Sequence, residues 1–432
     1  MTVYKESANN YTVKPGDTLW SIAARFNMPV GRLVQMNNIR RPYEVYPHQV
    51  LVINPVPSAE NSQPQNGKAF TKAKNAQVST YWTNSWTDIA GVRSTGALYS
   101  EPSILQRPTI ETLGYIDPTA TPDTAALIDE LGQYLTYLGL FEFPVTETGD
   151  ITGTPAPEIL EAAARNQAAV LPVITNIRDG MFDPDLMRAD LTNPDALQNM
   201  IEGILSMLRQ YNMPGVILDL ENLYPEDRDL FTNFIRILSE RLHQENKILV
   251  LNLAAKWEEW EDKEWVGFFD YNALGPLIDI AAIMTYEWGY RDGPPQPTAP
   301  LPFVRRTLDY AIANNIPADK ILMGMTLYGY DWTLPDTPEN LAATVTLPQV
   351  MELVQTYNAQ IMYDEEVQQP FVNYTDESGT AHQIWFENAQ SHFAKYQLIQ
   401  EYGLRGVFYW ILHMPFPATW DMVSNLFDIR KL

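Results

Sequence analysis

The chain has 432 residues, no cysteine, and 53 acidic against 29 basic side chains, which gives a formal net charge of −24. The absence of cysteine excludes disulfides, thiolate metal sites and a cysteine nucleophile, and the negative charge argues against nucleic acid as a partner. The sequence has no run of about 18 apolar residues, the length needed to span a membrane. Its N-terminus lacks the apolar segment of a signal peptide. We therefore expect neither a membrane span nor a secretory signal peptide.

A compact unit is predicted at residues 11–53. Its first strand leads into a turn with the sequence Pro-Gly-Asp-Thr-Leu-Trp at residues 15–20. Two short helices are predicted at 21–26 and 30–37, and an apolar strand follows at 49–53. This βααβ order, together with the sequence of the turn, resembles a LysM module.

The resemblance to LysM modules implies binding of glycans that contain N-acetylglucosamine. It places a glycan groove between Gly16, Asp17 and Thr18 on one side and the loop with Asn37 and Ile39 on the other. Gly16 and Asp17 also suit a plain structural role, because glycine favours a turn and aspartate caps a helix. The two roles are compatible.

The rest of the chain divides by composition. Residues 54–77 are rich in Pro, Ser, Asn, Gln and Lys and predict a linker, while residues 78–110 form an unassigned embellishment. From residue 111 to 430, apolar strands alternate with helical patterns, which predicts an α/β fold, a (β/α)8 TIM barrel. A small α+β insertion is predicted at 331–390. The predicted barrel strands lie near 112–116, 135–143, 169–176, 215–221, 247–253, 279–286, 321–328 and 405–411.

Residues 214–221, Pro-Gly-Val-Ile-Leu-Asp-Leu-Glu, set two carboxylates two positions apart at the end of an apolar run. In a strand, Asp219 and Glu221 point to the same face, and two close acids resist ionising together. An acidic pair at a strand end is often only a solvated terminus. Here a helical pattern follows from Pro225, as at the rim of a parallel barrel. A proton-holding acid beside an ionised one is suited to splitting a glycosidic bond.

This segment resembles the signature of glycoside hydrolase family 18, Asp-Gly-x-Asp-x-Asp-x-Glu. The resemblance implies that Glu221 is the catalytic acid and Asp219 its partner. Two positions depart from the signature, since Pro214 and Ile217 stand where the family's first two aspartates usually lie. The carboxylate relay beneath the pair is therefore expected to be one member shorter.

Two further motifs support the resemblance. Residues 284–287 resemble the family's Met-x-Tyr-Asp, with Glu287 in place of the aspartate, and 406–410 match Gly-x-x-x-Trp. The resemblance implies that Tyr286 contacts the acetamido group of the substrate and that Trp410 forms the sugar floor, although both could be ordinary barrel residues. Further substrate-binding candidates at the expected rim are Met284, Glu287, Asn176, Tyr330 and Trp332.

The resemblance implies the family's mechanism, a substrate-assisted hydrolysis that retains the configuration of the anomeric carbon. Glu221 would protonate the glycosidic oxygen, the sugar's own acetamido oxygen would attack the anomeric carbon, and Asp219 and Tyr286 would hold the acetamide. The five histidines lack metal-ligand spacing, so neither a metal nor another cofactor is expected.

Within the family, the layout most resembles that of spore-cortex peptidoglycan N-acetylglucosaminidases. Shared segments include residues 284–288, 328–332, 363–366 and 415–420. The leading hypothesis is a monomeric, LysM-anchored hydrolase of peptidoglycan at the spore coat, cortex or cell wall, acting during germination. The alternatives are a catalytically silent glycan-binding protein and a chitinase.

Overall fold

The computed structural model describes residues 9–14, 22, 26, 33, 36, 37, 39, 45, 49–53, 107–121, 123–337 and 340–432. The predicted linker at 54–77, most of the segment 78–110, and the LysM candidates Gly16, Asp17 and Thr18 lie outside these residues.

In the N-terminal unit, strand β1 (Asn9–Thr12) pairs antiparallel with strand β2 (Val50–Ile53). The pairing matches the predicted first and last strands of the LysM module. Helical residues at 22, 33 and 36 fall within the two predicted helices. The buried apolar side chains of this unit are Val13, Ile22, Leu33, Leu51 and Ile53.

Seven consecutive parallel strands form most of the main sheet. Each is largely apolar on both faces, as expected where a strand packs between a barrel interior and an outer helix. In chain order they are β3 (Thr109–Ile116), β4 (Tyr137–Pro144), β5 (Ala169–Thr175), β6 (Gly215–Asp219), β7 (Ile248–Ala254), β8 (Ile280–Met284) and β9 (Ile321–Thr326).

The helices that follow these strands cover the outside of the sheet. Side-chain caps and prolines in the first turn define several of their N-termini, as at the helix Pro194–Gln210, where Asn193 accepts a hydrogen bond from the backbone of Asp195. The helices are α1 (Thr124–Leu131), α2 (Pro157–Arg165), α3 (Pro184–Thr192), α4 (Pro194–Gln210), α5 (Arg228–Gln244), α6 (Tyr271–Leu274) and α7 (Leu301–Ala313).

A small α+β unit lies between the seventh and eighth barrel strands, as predicted. It is a five-stranded antiparallel sheet with one helix against it. Its first strand begins almost directly after β9. The elements are β10 (Tyr328–Leu334), β11 (Ala343–Thr346), α8 (Leu347–Thr356), β12 (Gln360–Asp364), β13 (Gln369–Thr375) and β14 (Ala381–Trp385).

Strand β15 (Gly406–Trp410) closes the barrel by pairing with both β9 and β3. Along the chain, helix α9 (Ala389–Tyr402) precedes this strand and helix α10 (Pro417–Leu426) follows it. A short strand, β16 (Asp428–Ile429), then pairs with β3. The closed ring of eight parallel strands confirms the predicted (β/α)8 TIM barrel. None of the helices in the described part of the chain has the length and apolarity needed to cross a membrane.

Candidate active site

A cleft of about 570 Å³ opens at the carboxyl ends of the barrel strands, where barrels of this type carry their functional groups. Strands β6, β8 and β15 each end on a residue of its lining. Most of the side chains that the sequence predicts for the barrel site line this cleft, namely Asp219, Glu221, Met284, Tyr286, Glu287, Tyr330 and Trp410.

Asp219 and Glu221 form a hydrogen-bonded pair in the cleft. Asp219 is buried as the last residue of β6, and Glu221 is half-buried in the loop that follows. Burial raises the pKa of Glu221 well above its usual range, and the nearby charge of Asp219 raises it further. Burial also raises the pKa of Asp219, to about 6, although hydrogen bonds from Asn252 and Glu221 act in the opposite direction. Glu221 is therefore the member of the pair that keeps its proton near neutral pH.

Asn176 lies beneath the cleft rather than in its lining. This buried side chain, directly after β5, accepts a hydrogen bond from Glu221 N at 3.0 Å and donates to Glu221 O at 2.9 Å and to Asp183 O at 3.0 Å. The backbone N–H of Glu221 thus donates its hydrogen bond to a side chain and not to the backbone of a neighbouring strand. This explains why the strand predicted to reach residue 221 ends at Asp219.

Tyr286 follows the end of β8 and is largely buried beside Phe408. Burial raises the pKa of its hydroxyl well above the usual value, with nearby carboxylates adding to the effect. The phenol therefore stays protonated. Within the described residues, its hydroxyl makes no hydrogen bond, so the O–H can donate to a group in the cleft.

Glu287 stands on the wall of the cleft with its backbone in the left-handed region, at φ 61°. Its carboxylate accepts hydrogen bonds from the hydroxyls of Tyr328 and Tyr330, the latter at 2.9 Å. Both tyrosines belong to β10 in the inserted unit. The insertion therefore supplies the groups that hold this carboxylate in place.

Trp410 ends β15 and lies half-buried in the cleft, with its ring edge-on to Phe141 at 5.3 Å and Tyr115 at 5.6 Å. Trp332 has a different place. It is fully buried inside the inserted unit, its indole N–H donates to Gly293 O at 2.7 Å, and it does not line the cleft.

In the LysM unit, the side chain of Asn37 is tied to the protein backbone. It donates to Leu33 O at 2.8 Å and Val52 O at 3.0 Å, and it accepts from Val52 N at 2.6 Å. Ile39 is half-buried against apolar neighbours. Asn37 thus joins the end of the second predicted helix to β2.

Sequence reasoning missed two polar residues at the base of the cleft, Tyr115 on β3 and Asn252 on β7. A signal for Asn252 exists, because it is a lone amide in the apolar run Ile-Leu-Val-Leu-Asn-Leu-Ala of β7. Asp117 and His413 also line the cleft. Among the described residues there is no group of three or more acidic or histidine side chains placed to hold a metal ion.

A closed parallel barrel with a carboxylic acid pair at the floor of an open cleft, flanked by tyrosine and tryptophan, defines a glycoside hydrolase. Residues 185–414 match the family described as Glycosyl hydrolases family 18, and residues 11–54 match the LysM domain. The chain belongs to glycoside hydrolase family 18, as its motifs indicated.

Its relatives share nearly the whole layout. The Cortical fragment-lytic enzyme of Bacillus subtilis (strain 168) is 33% identical over 98% of this chain and 98% of its own length. The crystal structure of the Bacillus megaterium QM B1551 spore cortex-lytic enzyme SleL is similar with a TM-score of 0.75 and 32% identity, covering 98% of this chain and 99% of that one. A chitinase from Chromobacterium violaceum ATCC 12472 is similar over 73% of this chain and 98% of its own, with a TM-score of 0.67 and 25% identity.

Proposed function

We propose that this protein is a retaining N-acetylglucosaminidase that cleaves β-1,4 bonds in peptidoglycan glycan strands. The observation that carries the proposal is the hydrogen-bonded Asp219–Glu221 pair beside the hydroxyl of Tyr286 in one cleft. Such a pair offers one proton donor and one charged group to the same sugar.

In the proposed reaction, Glu221 donates its proton to the departing glycosidic oxygen. The acetamido oxygen of the same sugar attacks the anomeric carbon and forms an oxazolinium ion. Asp219 stabilises the positive charge that develops on the acetamide nitrogen, and Tyr286 donates a hydrogen bond to the acetamide. A water molecule, deprotonated by Glu221, then opens the ring and releases the product with retained configuration.

The spacing of the two acids supports this route over a carboxylate nucleophile. Retaining enzymes that form a glycosyl ester hold their two carboxyl groups about 5–5.5 Å apart, on opposite sides of the bond. Asp219 and Glu221 are hydrogen-bonded to each other, so they act from one side. The substrate must then bring its own nucleophile.

Peptidoglycan of the spore cortex, cleaved during germination, is the proposed substrate. Relatives of full length carry the names cortical fragment-lytic enzyme and spore cortex-lytic enzyme, and the LysM unit would hold the protein on glycans at the spore cortex or cell wall. A chitinase activity is the second candidate, because a chitinase structure shares the barrel. Mass spectrometry of products from cortex fragments and from chitin oligomers separates the two substrates.

The acid assignment is tested with Glu221→Gln, which keeps the shape of the side chain and removes its acidic proton. We expect a folded protein whose turnover falls at least about a hundredfold, as is usual when a general acid is lost. Glu226→Gln, an exposed position, is the matched control and should keep wild-type turnover. Full turnover by Glu221→Gln would mean that another residue is the acid. No turnover by the wild type would favour a silent glycan-binding protein.

The anchoring role is tested by deleting residues 1–60. Tethering raises local concentration without altering the barrel, so the truncated protein should sediment less with insoluble peptidoglycan and still cleave short soluble fragments at nearly the full rate. Equal sedimentation of the truncated and full-length proteins would contradict the anchoring role.

A further inference from the structure

We propose that Asn252 is a positioning residue that replaces the missing lower carboxylate of the family 18 signature and fixes the shared proton on Glu221. The catalytic consequence of this inference rests on the proposed function. The structural part of it does not, because it concerns how the acid pair is held in the protein without substrate.

The position beneath the acid pair is apolar in this chain. Ile217 precedes Asp219 by two residues on β6, faces the same side of the strand, and is fully buried. A carboxylate there could donate to Asp219 or take a proton from it. An isoleucine can do neither, so any polar support for Asp219 has to come from another strand.

The support comes from the neighbouring strand β7. Leu218 pairs with Leu251 in the parallel register of β6 and β7, which sets Asp219 beside Asn252. The amide of Asn252 donates a hydrogen bond from Nδ2 to Asp219 Oδ1 at 2.8 Å. Both side chains are buried at the base of the cleft.

Tyr115 fixes the orientation of this amide. Its hydroxyl, on β3, donates a hydrogen bond to Oδ1 of Asn252. The ring of Tyr115 is fully buried and packs where Gly139 leaves room, since a Cβ at that glycine would come within 2.7 Å of it. An amide whose oxygen accepts from a hydroxyl must present its N–H group on the other side. The bonds therefore run in one direction, from Tyr115 to Asn252 to Asp219.

A fixed N–H donor has a definite effect on the acid pair. It favours the ionised form of Asp219, and an amide cannot take up a proton from that carboxyl. The shared proton is left to Glu221, which is where a general acid needs it. In keeping with this, the bond from Asn252 lowers the pKa of Asp219 against the opposing effect of burial.

The other groups that face Asp219 do not supply positive charge. Tyr115 comes from β3, Glu221 from the loop after β6 and Tyr286 from the end of β8, with Glu287 next to Glu221. The described lining of the cleft contains no lysine or arginine, and burial lowers the pKa of His413, the histidine in that lining, which favours its neutral form. Hydrogen bonds, and that of Asn252 first, therefore hold the charge on Asp219.

The test uses Asn252→Leu in the full-length protein, which keeps the size of the side chain and removes the donor. With a fluorogenic N-acetylglucosamine oligosaccharide, kcat/KM is measured from pH 4 to 8. A hydrogen bond to a charged group is a strong one, so we expect the acidic limb to move upward by about one to two pH units, with kcat falling about tenfold or more and KM nearly unchanged. Asn233→Leu, at an exposed helical position, is the matched control.

A second measurement needs no turnover. Protein labelled with ¹³C at the aspartate carboxyl groups gives a titration for Asp219, whose signal is identified by its loss in Asp219→Asn. Its midpoint should rise in Asn252→Leu. Tyr115→Phe, which frees the amide but keeps the ring, should give a smaller rise and serves if Asn252→Leu does not fold.

The outcomes separate this inference from the proposed function. An unchanged acidic limb together with an unchanged titration of Asp219, in folded Asn252→Leu or Tyr115→Phe, would overturn the role of Asn252. A wild-type protein that leaves the oligosaccharide uncleaved would contradict the proposed function, and the carboxyl titration would still decide the inference.

Discussion

Asn176 holds the backbone of Glu221 on both sides, with Oδ1 of the amide 3.0 Å from Glu221 N and Nδ2 2.9 Å from Glu221 O. Nδ2 also donates to the backbone oxygen of Asp183, whose side chain caps the first turn of α3. The acid is therefore fixed to the end of β5 and to a helix N-terminus, although it lies outside any strand.

This arrangement predicts the effect of Asn176→Ala. The substitution leaves partly buried backbone groups of Glu221 and Asp183 without the amide, at a cost of about 1–3 kcal/mol in the free energy of unfolding. It also lets the Glu221 carboxyl drift, and a displacement of about 1 Å can cost on the order of a hundredfold in rate. We expect kcat to fall at least about tenfold and the melting temperature to fall with it. Asn199→Ala, which removes a surface amide bonded to Thr148 O, should change neither, and equal kinetics in the two variants would contradict the role of Asn176.

The contrast between two tryptophans gives a second prediction. Trp410 lines the cleft, so Trp410→Phe should reduce kcat/KM by about tenfold, because an aromatic contact is worth about 0.5–1.5 kcal/mol and about 1.4 kcal/mol corresponds to a factor of ten. Trp332 is buried outside the cleft, so Trp332→Phe should lower the melting temperature and leave KM unchanged. Steady-state kinetics and thermal unfolding of both variants check this. A raised KM in Trp332→Phe would return that residue to the substrate site.

Burial on both faces made the barrel strands predictable from the sequence. All eight barrel strands lie where apolar runs predicted them, with ends shifted by a few residues, because burial on both faces leaves a strong apolar signal. Residues named from motifs at strand ends, such as Asp219, Tyr286 and Trp410, do meet in one cleft. The carboxyl ends of parallel barrel strands meet at one rim, so motifs read in the local sequence were enough to predict that these side chains meet.

What the sequence did not predict depends on contacts between distant strands. The strand end at Asp219 reflects the hydrogen bond that Glu221 N donates to Asn176, 45 residues away from Glu221. The support of Asp219 by Asn252 depends on the register of β6 and β7. Trp332 follows a barrel strand by six residues, yet it points into the inserted sheet. Periodicity carries no information on any of these pairings.

Stability should depend on pH through Asp190. This side chain on α3 is fully buried, and neither of its carboxyl oxygens has a hydrogen-bond partner within the described residues. Burial, with a smaller effect of Glu147, raises its pKa from 3.8 to about 6. A pKa that is raised in the folded state stabilises the protein at pH values below the pKa of the same group in the unfolded state. This contribution is lost as pH rises through about 6.

Asp190→Asn is neutral at every pH, so it should gain stability over the wild type at pH 7.5. The gain in the free energy of unfolding is up to about 3 kcal/mol, from about 1.4 kcal/mol per unit of pKa, and it should vanish near pH 4. Urea unfolding of both proteins at the two pH values measures it, with exposed Asp262→Asn as the control. A gain of the same size at both pH values would show that ionisation is not its cause.

The last prediction concerns the nucleophile. If the acetamido oxygen attacks, the site is built for the cyclised sugar, and a thiazoline mimic of the oxazolinium ion should inhibit more tightly than the product does, since mimics of high-energy species gain from groups arranged for them. Asp219→Ala and Tyr286→Phe should each weaken this inhibition at least about tenfold, because they remove the carboxylate and the hydroxyl that hold the ring. Tyr290→Phe, at an exposed tyrosine outside the cleft, should leave the inhibition constant unchanged. A fluorosugar ester trapped on Asp219 or Glu221 and detected by mass spectrometry would instead establish a carboxylate nucleophile, and the substrate-assisted route would be wrong.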